Sequence, residues 1–237
     1  MASAAEQMAQ NLSWSTFGKA KELQSRILFA LGLLMIYRLG TFIPMPGIDP
    51  IQLARFVEQT QSGILGVFNM FAGGAVERMA IFALGIMPYI SASIIMQLMS
   101  SMVPSLEALK KEGDAGRRKM NQYTRYGTVV LAAFQAYGIA VGLEGQGLAL
   151  DPGWFFRAST VITLVGGTMF LMWLGEQITA RGIGNGISLI IYVGIVASLP
   201  TALAQLFELG RTGQLPAAVI IGVIVGAVAV IAAVVYI

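Results

Sequence analysis

One stretch without any charged residue, residues 79–99 (MAIFALGIMPYISASIIMQLM), constrains the possible fold more than any other feature of the sequence. It is long enough to cross the hydrocarbon core of a bilayer, which takes about 20 apolar residues. The segment before it, residues 64–78, starts apolar but is broken by Gly73 and Gly74 and ends in charged residues, so it is too short to cross. A short helix that leads into a full span predicts a discontinuous element. Irregular backbone at membrane depth is stable only where protein or a water-filled cavity surrounds it.

The composition is that of a membrane protein. Charged residues make up 11% of the chain and hydrophobic residues 56%, whereas soluble domains carry about 25% charged residues. The chain has no cysteine and no histidine, which excludes disulfides, thiolate chemistry and the usual imidazole or thiolate metal sites. No pair of carboxylates shares a plausible site. The sequence therefore predicts neither an enzyme nor a bound metal or cofactor.

Six apolar runs predict an all-α, multi-spanning helical bundle. The expected spans cover about residues 27–43, 79–102, 126–143, 155–178, 187–207 and 217–237. A cleavable signal peptide is the alternative for the first run, but the turn GTFIPMPG (40–47) follows it without a small-x-small cleavage site. We expect a surface helix over residues 49–61. The domains are then an amphipathic N-terminus (1–26), five spans (27–207), and an external turn with span six (208–237). Because the sequence stops inside an apolar run, we expect it to be the front part of a longer polypeptide.

The distribution of lysine and arginine predicts the orientation. Ten cations fall on the side of the N-terminus, namely Lys19, Lys21, Arg26, Arg181 and six within residues 104–125. Four fall on the other side, namely Arg55, Arg78, Arg157 and Arg211. Arg38 lies near the far end of the first span, and we expect its side chain to extend to the membrane surface. Because cytoplasmic loops carry the excess of positive charge, the N-terminus is predicted to lie in the cytoplasm.

Two sets of isoleucines recur at helical spacing. Ile86 and Ile90 share one face of span two, as do Ile187, Ile191 and Ile195 on span five. By spacing alone, ordinary packing or contact with lipid explains both sets. The proline between the first two isoleucines is expected to kink or loosen the helix. The run GIGNG (182–186) before span five is most simply a tight turn between two helices.

Residues 104–125 (PSLEALKKEGDAGRRKMNQYTR) form a basic segment between spans two and three, in which Gly113 and Gly116 indicate a loop. The candidate docking residues are Lys110, Lys111, Arg117, Arg118 and Lys119. The segment could bind ribosomal RNA, acidic lipid or an acidic protein surface, or it could serve only as a cytoplasmic retention signal. Glu176, at the end of span four, is expected to cap the helix or to pair with Arg181, with a role as a proton carrier as the alternative.

From these features alone, two classes remain open, a channel and a secondary transporter with discontinuous helices. Long motifs go further. They are FIPMPGID (42–49), FNMFAGGA (68–75), FALGIMPYISASIIMQL (82–98), KKEGDAGRRK (110–119), QYTRYGT (122–128) and GTMFLMWLGEQITARGIGNGIS (167–188). Together they closely resemble the bacterial SecY family, the large subunits of the Sec protein-conducting channel. The resemblance extends over about residues 19–237.

The resemblance implies half of a ten-span channel in the bacterial cytoplasmic membrane. Such a channel moves unfolded secretory proteins across the membrane and membrane proteins into it. The implied partners are the SecE and SecG subunits, the SecA motor, the ribosome and nascent chain, signal peptides and membrane lipids. Spans two and three would form one side of the lateral gate, where signal sequences exit to lipid. The basic segment 104–125 would contact SecA or the ribosome.

By the same resemblance, Ile86, Ile90 and Ile191 fall at positions of the hydrophobic pore ring. Residues 64–78 fall on the plug, which blocks the external side of the closed channel. The plug residues are Ile64, Leu65, Val67, Phe68, Asn69, Met70, Phe71, Gly73, Gly74, Glu77 and Arg78. The glycine pair would give the plug its hinge.

Overall fold

The computed structural model describes residues 21–60, 69–70, 72–213 and 216–236 of the chain. These residues form eight helices and no β-structure beyond two isolated bridges. The helices are α1 (Lys21–Gly40), α2 (Pro50–Thr60), α3 (Met87–Met102), α4 (Pro104–Lys111), α5 (Asp114–Gly145), α6 (Trp154–Arg181), α7 (Gly186–Arg211) and α8 (Ala217–Tyr236). Five of them (α1 and α5 to α8) are long and apolar enough to cross a membrane, and the bent pair α3–α4 adds a sixth if it counts as one span. The all-α, multi-spanning class is confirmed over the described residues, and α2 is the expected surface helix.

The chain divides into two units, residues 1–195 and residues 196–237. The boundary lies inside α7. In the second unit, the end of α7 turns into α8, and Ile220 packs closely against Gly210. The described side chains of α8 are nearly all exposed, although almost all of them are apolar. A helix with such a surface requires lipid or another protein segment around it.

In the first unit, small side chains let the long helices approach one another. The α5 helix packs against both α3 and α6. Five of its seven buried residues recur every fourth position and are small, namely Thr124, Thr128, Ala132, Ala136 and Ala140. Small residues at helix contacts are typical of membrane bundles, because they allow close approach of the backbones. Hydrogen bonds join the end of α5 to the start of α6. Glu144 accepts them from Arg157 Nε at 2.7 Å and from the Gly153 N–H at 2.9 Å.

The continuous second span predicted for residues 79–102 is wrong in its first third. Residues 81–86 form turns, and the helix begins only at Met87. The backbone before it pairs instead with the segment that follows α1, since the Ile81 N–H donates to the Ile43 carbonyl at 3.0 Å. Pro88 lies in the first turn of α3. A proline is tolerated there because the N–H that it lacks has no partner within the helix, so Pro88 starts the helix and does not kink it.

The loop predicted for the basic segment is also wrong, because the segment is a helical hairpin. The α3 and α4 helices are bent by 99° at Val103. A turn at Glu112 and Gly113 then joins α4 to α5. Gly113 has a positive φ of 71° and makes the turn. Gly116 is already helical, and any Cβ there would overlap the carbonyl oxygen of Leu109. The second glycine therefore marks a helix contact, where the sequence indicated a loop.

The length of α5 explains how this hairpin can leave the membrane. The helix has 32 residues, which at 1.5 Å per residue gives about 48 Å. The hydrocarbon core is about 30 Å thick. About 18 Å of α5 can therefore extend beyond it, and the charged residues of α5 lie in its first twelve positions except for Glu144.

Candidate functional site

An apolar cavity of about 100 Å³ lies where the turns before α3, the start of α3 and the second turn of α7 meet. Its lining residues are Ala72, Ala83, Leu84, Gly85, Ile86, Met87, Ile90 and Ile191. All three residues that the sequence directed to one constriction are among them. None of the eight side chains is charged or hydrogen-bonding, and an apolar cavity of this kind stays dry.

Two of the isoleucines are positioned by the first turn of α3. Ile86 is the residue that precedes the helix, with a φ of −98° and a ψ of 2°, and only 5% of it is exposed. The Ile90 N–H donates to the Ile86 carbonyl at 3.1 Å. The two side chains are therefore one turn apart, as the spacing predicted, although Ile86 itself is not helical. Gly85, with a φ of 56°, lets the chain reverse directly before them.

The third isoleucine is positioned by the connection between α6 and α7. Residues 182–186 form the tight turn that the glycines indicated. Asn185 Oδ1 accepts hydrogen bonds from the backbone N–H groups two and three residues ahead, at 3.0 and 3.4 Å. Any Cβ on Gly186 would overlap the Gly175 carbonyl of α6. Because α7 starts in contact with α6, the face on which Ile191 lies is fixed relative to the cavity.

The described part of the segment predicted as a plug closes on itself. Asn69 Nδ2 donates to the Glu77 carboxylate at 3.0 Å, and the Glu77 N–H donates to Asn69 Oδ1 at 2.9 Å. Inside this loop, Gly73 and Gly74 have positive φ angles of 64° and 82°, a conformation that only glycine adopts readily. Ala72 lies in the same loop and forms one wall of the cavity. The loop therefore connects the predicted plug directly to the three isoleucines.

The structure describes only some of the other residues of the predicted plug. Ile64, Leu65, Val67, Phe68 and Phe71 lie outside the described residues. Met70 is 46% exposed, whereas Ala75, deeper in the loop, is fully buried.

A family model described as SecY matches residues 80–237, about two thirds of the chain. The chain belongs to the SecY family. Among its curated relatives, protein translocase subunit SecY of Pseudomonas aeruginosa is 57% identical over 95% of this chain and 51% of its own length. The Escherichia coli K12 subunit is 58% identical over 85% of this chain and 46% of its own length. The Rickettsia felis subunit is 54% identical over 97% of this chain and 53% of its own length. The chain thus spans about half the length of the curated SecY relatives it matches.

Two solved structures share the fold. One is entitled "The structure of a protein conducting channel" and the other "Sec61 in the Canine ribosome-channel complex from the endoplasmic reticulum". Each superposes with a TM-score of 0.62 at 18% sequence identity, over 90% of this chain and 47% of the other. The predictions of a SecY relative and of its helical fold are confirmed. This SecY-family chain is a multi-pass membrane protein.

In this SecY-family chain, the predicted docking residues lie together on the hairpin of α4 and α5. All five are exposed, namely Lys110, Lys111, Arg117, Arg118 and Lys119. Lys111 pairs with Glu107 at 2.7 Å and Lys119 with Glu112 at 3.9 Å. Among the ion pairs that the described residues form, Lys110, Arg117 and Arg118 have no carboxylate partner.

The partner expected for Glu176 is wrong. Its carboxylate accepts two hydrogen bonds from Arg125 of α5, from Nε at 3.1 Å and from an Nη at 2.6 Å. This two-point contact links α5 to α6, which are far apart in sequence. Arg181 is the nearer cation along the chain, but it follows Glu176 by five residues in a helix. Residues three or four apart, not five, are neighbours on a helix.

Arg38 is a site residue that sequence reasoning missed. It was expected to extend to the membrane surface, but its Nη1 donates to the Gly73 carbonyl at 2.5 Å. Its guanidinium also lies 4.9 Å from the centre of the Phe42 ring, and that of Arg78 lies 4.3 Å from it. The only signal in the sequence was a charged residue inside an apolar run, which in a membrane protein indicates a specific partner.

Phe82 was missed as well. Its ring stacks on Tyr37 of α1 and on Phe170 of α6, with centroid distances of 6.2 and 5.9 Å. Two glycines make room for it, because a Cβ on Gly40 would overlap the ring and a Cβ on Gly167 would lie 3.3 Å from it. This Phe82 socket holds the non-helical segment between α1 and α6. Glycines within apolar spans were the available signal for such a close approach.

Proposed function

We propose that this chain forms the pore-containing part of a channel that moves unfolded secretory proteins across the bacterial cytoplasmic membrane, and membrane proteins into it. One observation carries the proposal. Ile86 and Ile90 precede Ile191 by about one hundred residues, yet all three line a single apolar cavity. The SecY relatives and the shared channel fold support the same interpretation.

The chemistry of the cavity suits a seal. Where only hydrocarbon lines a narrow passage, water and ions lose their hydrogen-bonding and solvating partners, so the passage gates by dewetting. Isoleucine side chains can still move aside for a passing polypeptide. In this proposal, Ile86, Ile90 and Ile191 form part of a pore ring, and the loop that carries Ala72 closes its external side as part of a plug over residues 64–78.

The proposal extends to orientation and partners. The excess of cations in the α4–α5 hairpin and the N-terminus supports a cytoplasmic location for both. The exposed hairpin would dock the SecA motor or the ribosome, with ribosomal RNA as one possible contact, while SecE and SecG would complete the complex around the channel. Signal peptides would exit to lipid past α3 and α5. Energy for transport would come from these partners, so that the chain itself performs no covalent chemistry.

A secondary transporter is the other class that the sequence left open. Its substrate and ions are held near the midplane by convergent polar groups and by the ends of broken helices. The broken element here ends at a cavity whose lining side chains are all apolar. This lining favours the channel.

The test is a triple variant, Ile86→Ser, Ile90→Ser and Ile191→Ser, in the full-length protein assembled with its small subunits. Hydroxyl groups give water hydrogen-bonding partners, so the constriction should wet more readily and single-channel ion currents in the resting state should rise. Ile95→Ser is the matched control, because it makes the same chemical change on α3 at a residue that is 45% exposed and away from the cavity. Equal currents from the triple variant and the control would remove these isoleucines from the pore.

A further inference from the structure

The end of α1 holds the loop of residues 72–78 by one strong contact. Arg38 Nη1 donates to the Gly73 carbonyl at 2.5 Å, across 35 residues of sequence. A hydrogen bond from an ionised donor is about twice as strong as one between neutral groups. The contact is partly buried, where the lower local dielectric strengthens it further.

Gly73 is shaped to receive this contact. A Cβ at this position would lie 2.9 Å from the Tyr37 hydroxyl and 3.2 Å from the Gly194 Cα of α7. The peptide is therefore seated directly between α1 and α7. The N–H groups of Gly73 and Gly74 donate to the carbonyls of Met70 and Asn69, just before residues 72–78. The Gly73 carbonyl, in contrast, is used for a contact with α1.

The guanidinium of Arg38 has few partners other than this carbonyl among the described residues. None of the ion pairs formed among the described residues includes Arg38. Besides the Gly73 carbonyl, its guanidinium has the face of the Phe42 ring at 4.9 Å, which it shares with the guanidinium of Arg78. A cation over a ring is stabilised more weakly than one bonded to an oxygen acceptor. Displacement of residues 72–78 would remove this oxygen acceptor and would carry Arg78 away with it, so Arg38 would be left with the weaker contact to the Phe42 ring.

We propose that Arg38 is a positioning residue of the plug, and that its hydrogen bond to the Gly73 carbonyl holds residues 72–78 against the apolar cavity in the closed channel. This inference rests on the proposed function of that segment. The displacement of the plug then breaks this charged hydrogen bond and the weaker contact of Arg78 with the Phe42 ring, while the bonds between Asn69 and Glu77 remain intact. The loop can leave as a unit, because the pair between Asn69 and Glu77 closes it independently of α1.

The experiment measures how often residue 72, which lines the cavity, becomes exposed to water. Residues 1–237 contain no cysteine, so Ala72→Cys gives the one thiol of this part of the protein, and the adjoining cavity has room for its sulfur. The full-length, assembled translocase is used after replacement of any cysteine in its remaining segments and subunits. The rate of labelling by a water-soluble maleimide applied from the external side measures how often the loop leaves. Arg38→Gln should raise this rate about tenfold or more, since a buried carbonyl loses a charged donor. Arg38→Lys should recover part of the protection.

Two controls separate positioning from general effects. Arg55→Gln removes an exposed cation on the same predicted side and should leave the labelling rate unchanged. A cysteine at Ala92 of α3, which is 2% exposed, should label slowly in every background. An unchanged rate at Ala72 in Arg38→Gln would overturn the proposal, and so would an equal increase at Ala92, which would mean that the whole bundle has loosened.

Conductance distinguishes this proposal from the plug function on which it rests. If both hold, Arg38→Gln and deletion of residues 64–74 each raise the resting ion current. If labelling rises while neither change affects the current, Arg38 still positions the loop, but the loop is not a barrier. If the deletion raises the current and Arg38→Gln changes neither labelling nor current, the plug function holds and the role of Arg38 is refuted.

Discussion

Two adjacent glycines in α6 should respond in opposite ways to the same substitution. Gly167 is buried, and a Cβ there would overlap the Ile81 carbonyl oxygen. Gly166 is exposed, with nothing within 4 Å of a Cβ. We expect Gly167→Ala to destabilise the protein and Gly166→Ala to leave it unchanged or stabilise it.

The magnitude follows from two opposing terms. Alanine is favoured over glycine in a helix by about 1 kcal/mol, and both substitutions gain this term. Overpacking costs about 1–3 kcal/mol. The upper end of this cost applies to Gly167, because the obstructing atom is the backbone carbonyl oxygen of Ile81. Ile81 cannot easily shift, since its own N–H donates to the Ile43 carbonyl at 3.0 Å. The net loss for Gly167→Ala is then about 2 kcal/mol, and the two variants should differ by about 3 kcal/mol.

Thermal unfolding of the purified variants in one detergent gives the comparison, with each melting temperature read against the parent protein. The melting temperature of Gly166→Ala should equal or exceed that of the parent protein. The melting temperature of Gly167→Ala should be well below it. Because the two sites are neighbours in one helix, differences in detergent binding or helix length affect them alike. If the two variants have the same melting temperature, the carbonyl of Ile81 does not pack against Gly167 of α6.

Two further predictions concern the side of the membrane and the basic hairpin. With Arg118→Cys and Gln146→Cys made singly, an impermeant thiol reagent outside intact cells should label only the second; labelling of the first alone would reverse the proposed orientation. Reversal of Arg117, Arg118 and Lys119 to Glu should weaken binding of the SecA motor or the ribosome, most clearly at low salt, where exposed charges are least screened. Unchanged binding by a correctly inserted protein would reduce the hairpin to a retention signal.

The sequence could predict the number and order of the spans because the length of an apolar run is itself the constraint in a bilayer. It could not predict where α3 begins. Residues 79–86 are as apolar as the helix after them, and hydropathy does not distinguish helical from irregular backbone. The difference depends on distant partners, such as the bond from the Met45 N–H to the Met79 carbonyl at 2.9 Å. Met79 itself has a φ of 41°, which no local pattern indicates.

Glycine was the most ambiguous signal. Gly113 makes a turn, whereas Gly116, three residues later, lies inside a helix against Leu109. Both reasons for a glycine, a positive φ and a close approach, leave the same letter in the sequence. For the same reason, the sequence did not indicate that Gly40 and Gly167 make room for the Phe82 ring. Charged residues were ambiguous in another way. Arg38 was expected to extend to the membrane surface and Glu176 to pair with nearby Arg181, while their partners lie 35 and 51 residues away.

In the proposed function, one discontinuous span carries both the pore ring and the plug, so a fixed part and a movable part must meet somewhere along its backbone. Residues 79–86 are held by backbone bonds to the segment after α1 and by the Phe82 ring in its socket of glycines. The described residues before them form a loop closed by its own hydrogen bonds, and Arg38 fastens it to α1. The strained conformation of Met79 lies at the junction. The Met79 and Ala80 N–H groups also donate to the Val76 and Ala75 carbonyls of the loop, at 3.0 and 2.8 Å. In the proposed function, Ile86 stays at the cavity while the loop with Ala72 moves, because neither the bond from Ile81 to Ile43 nor the stacking of Phe82 on Tyr37 and Phe170 involves the loop.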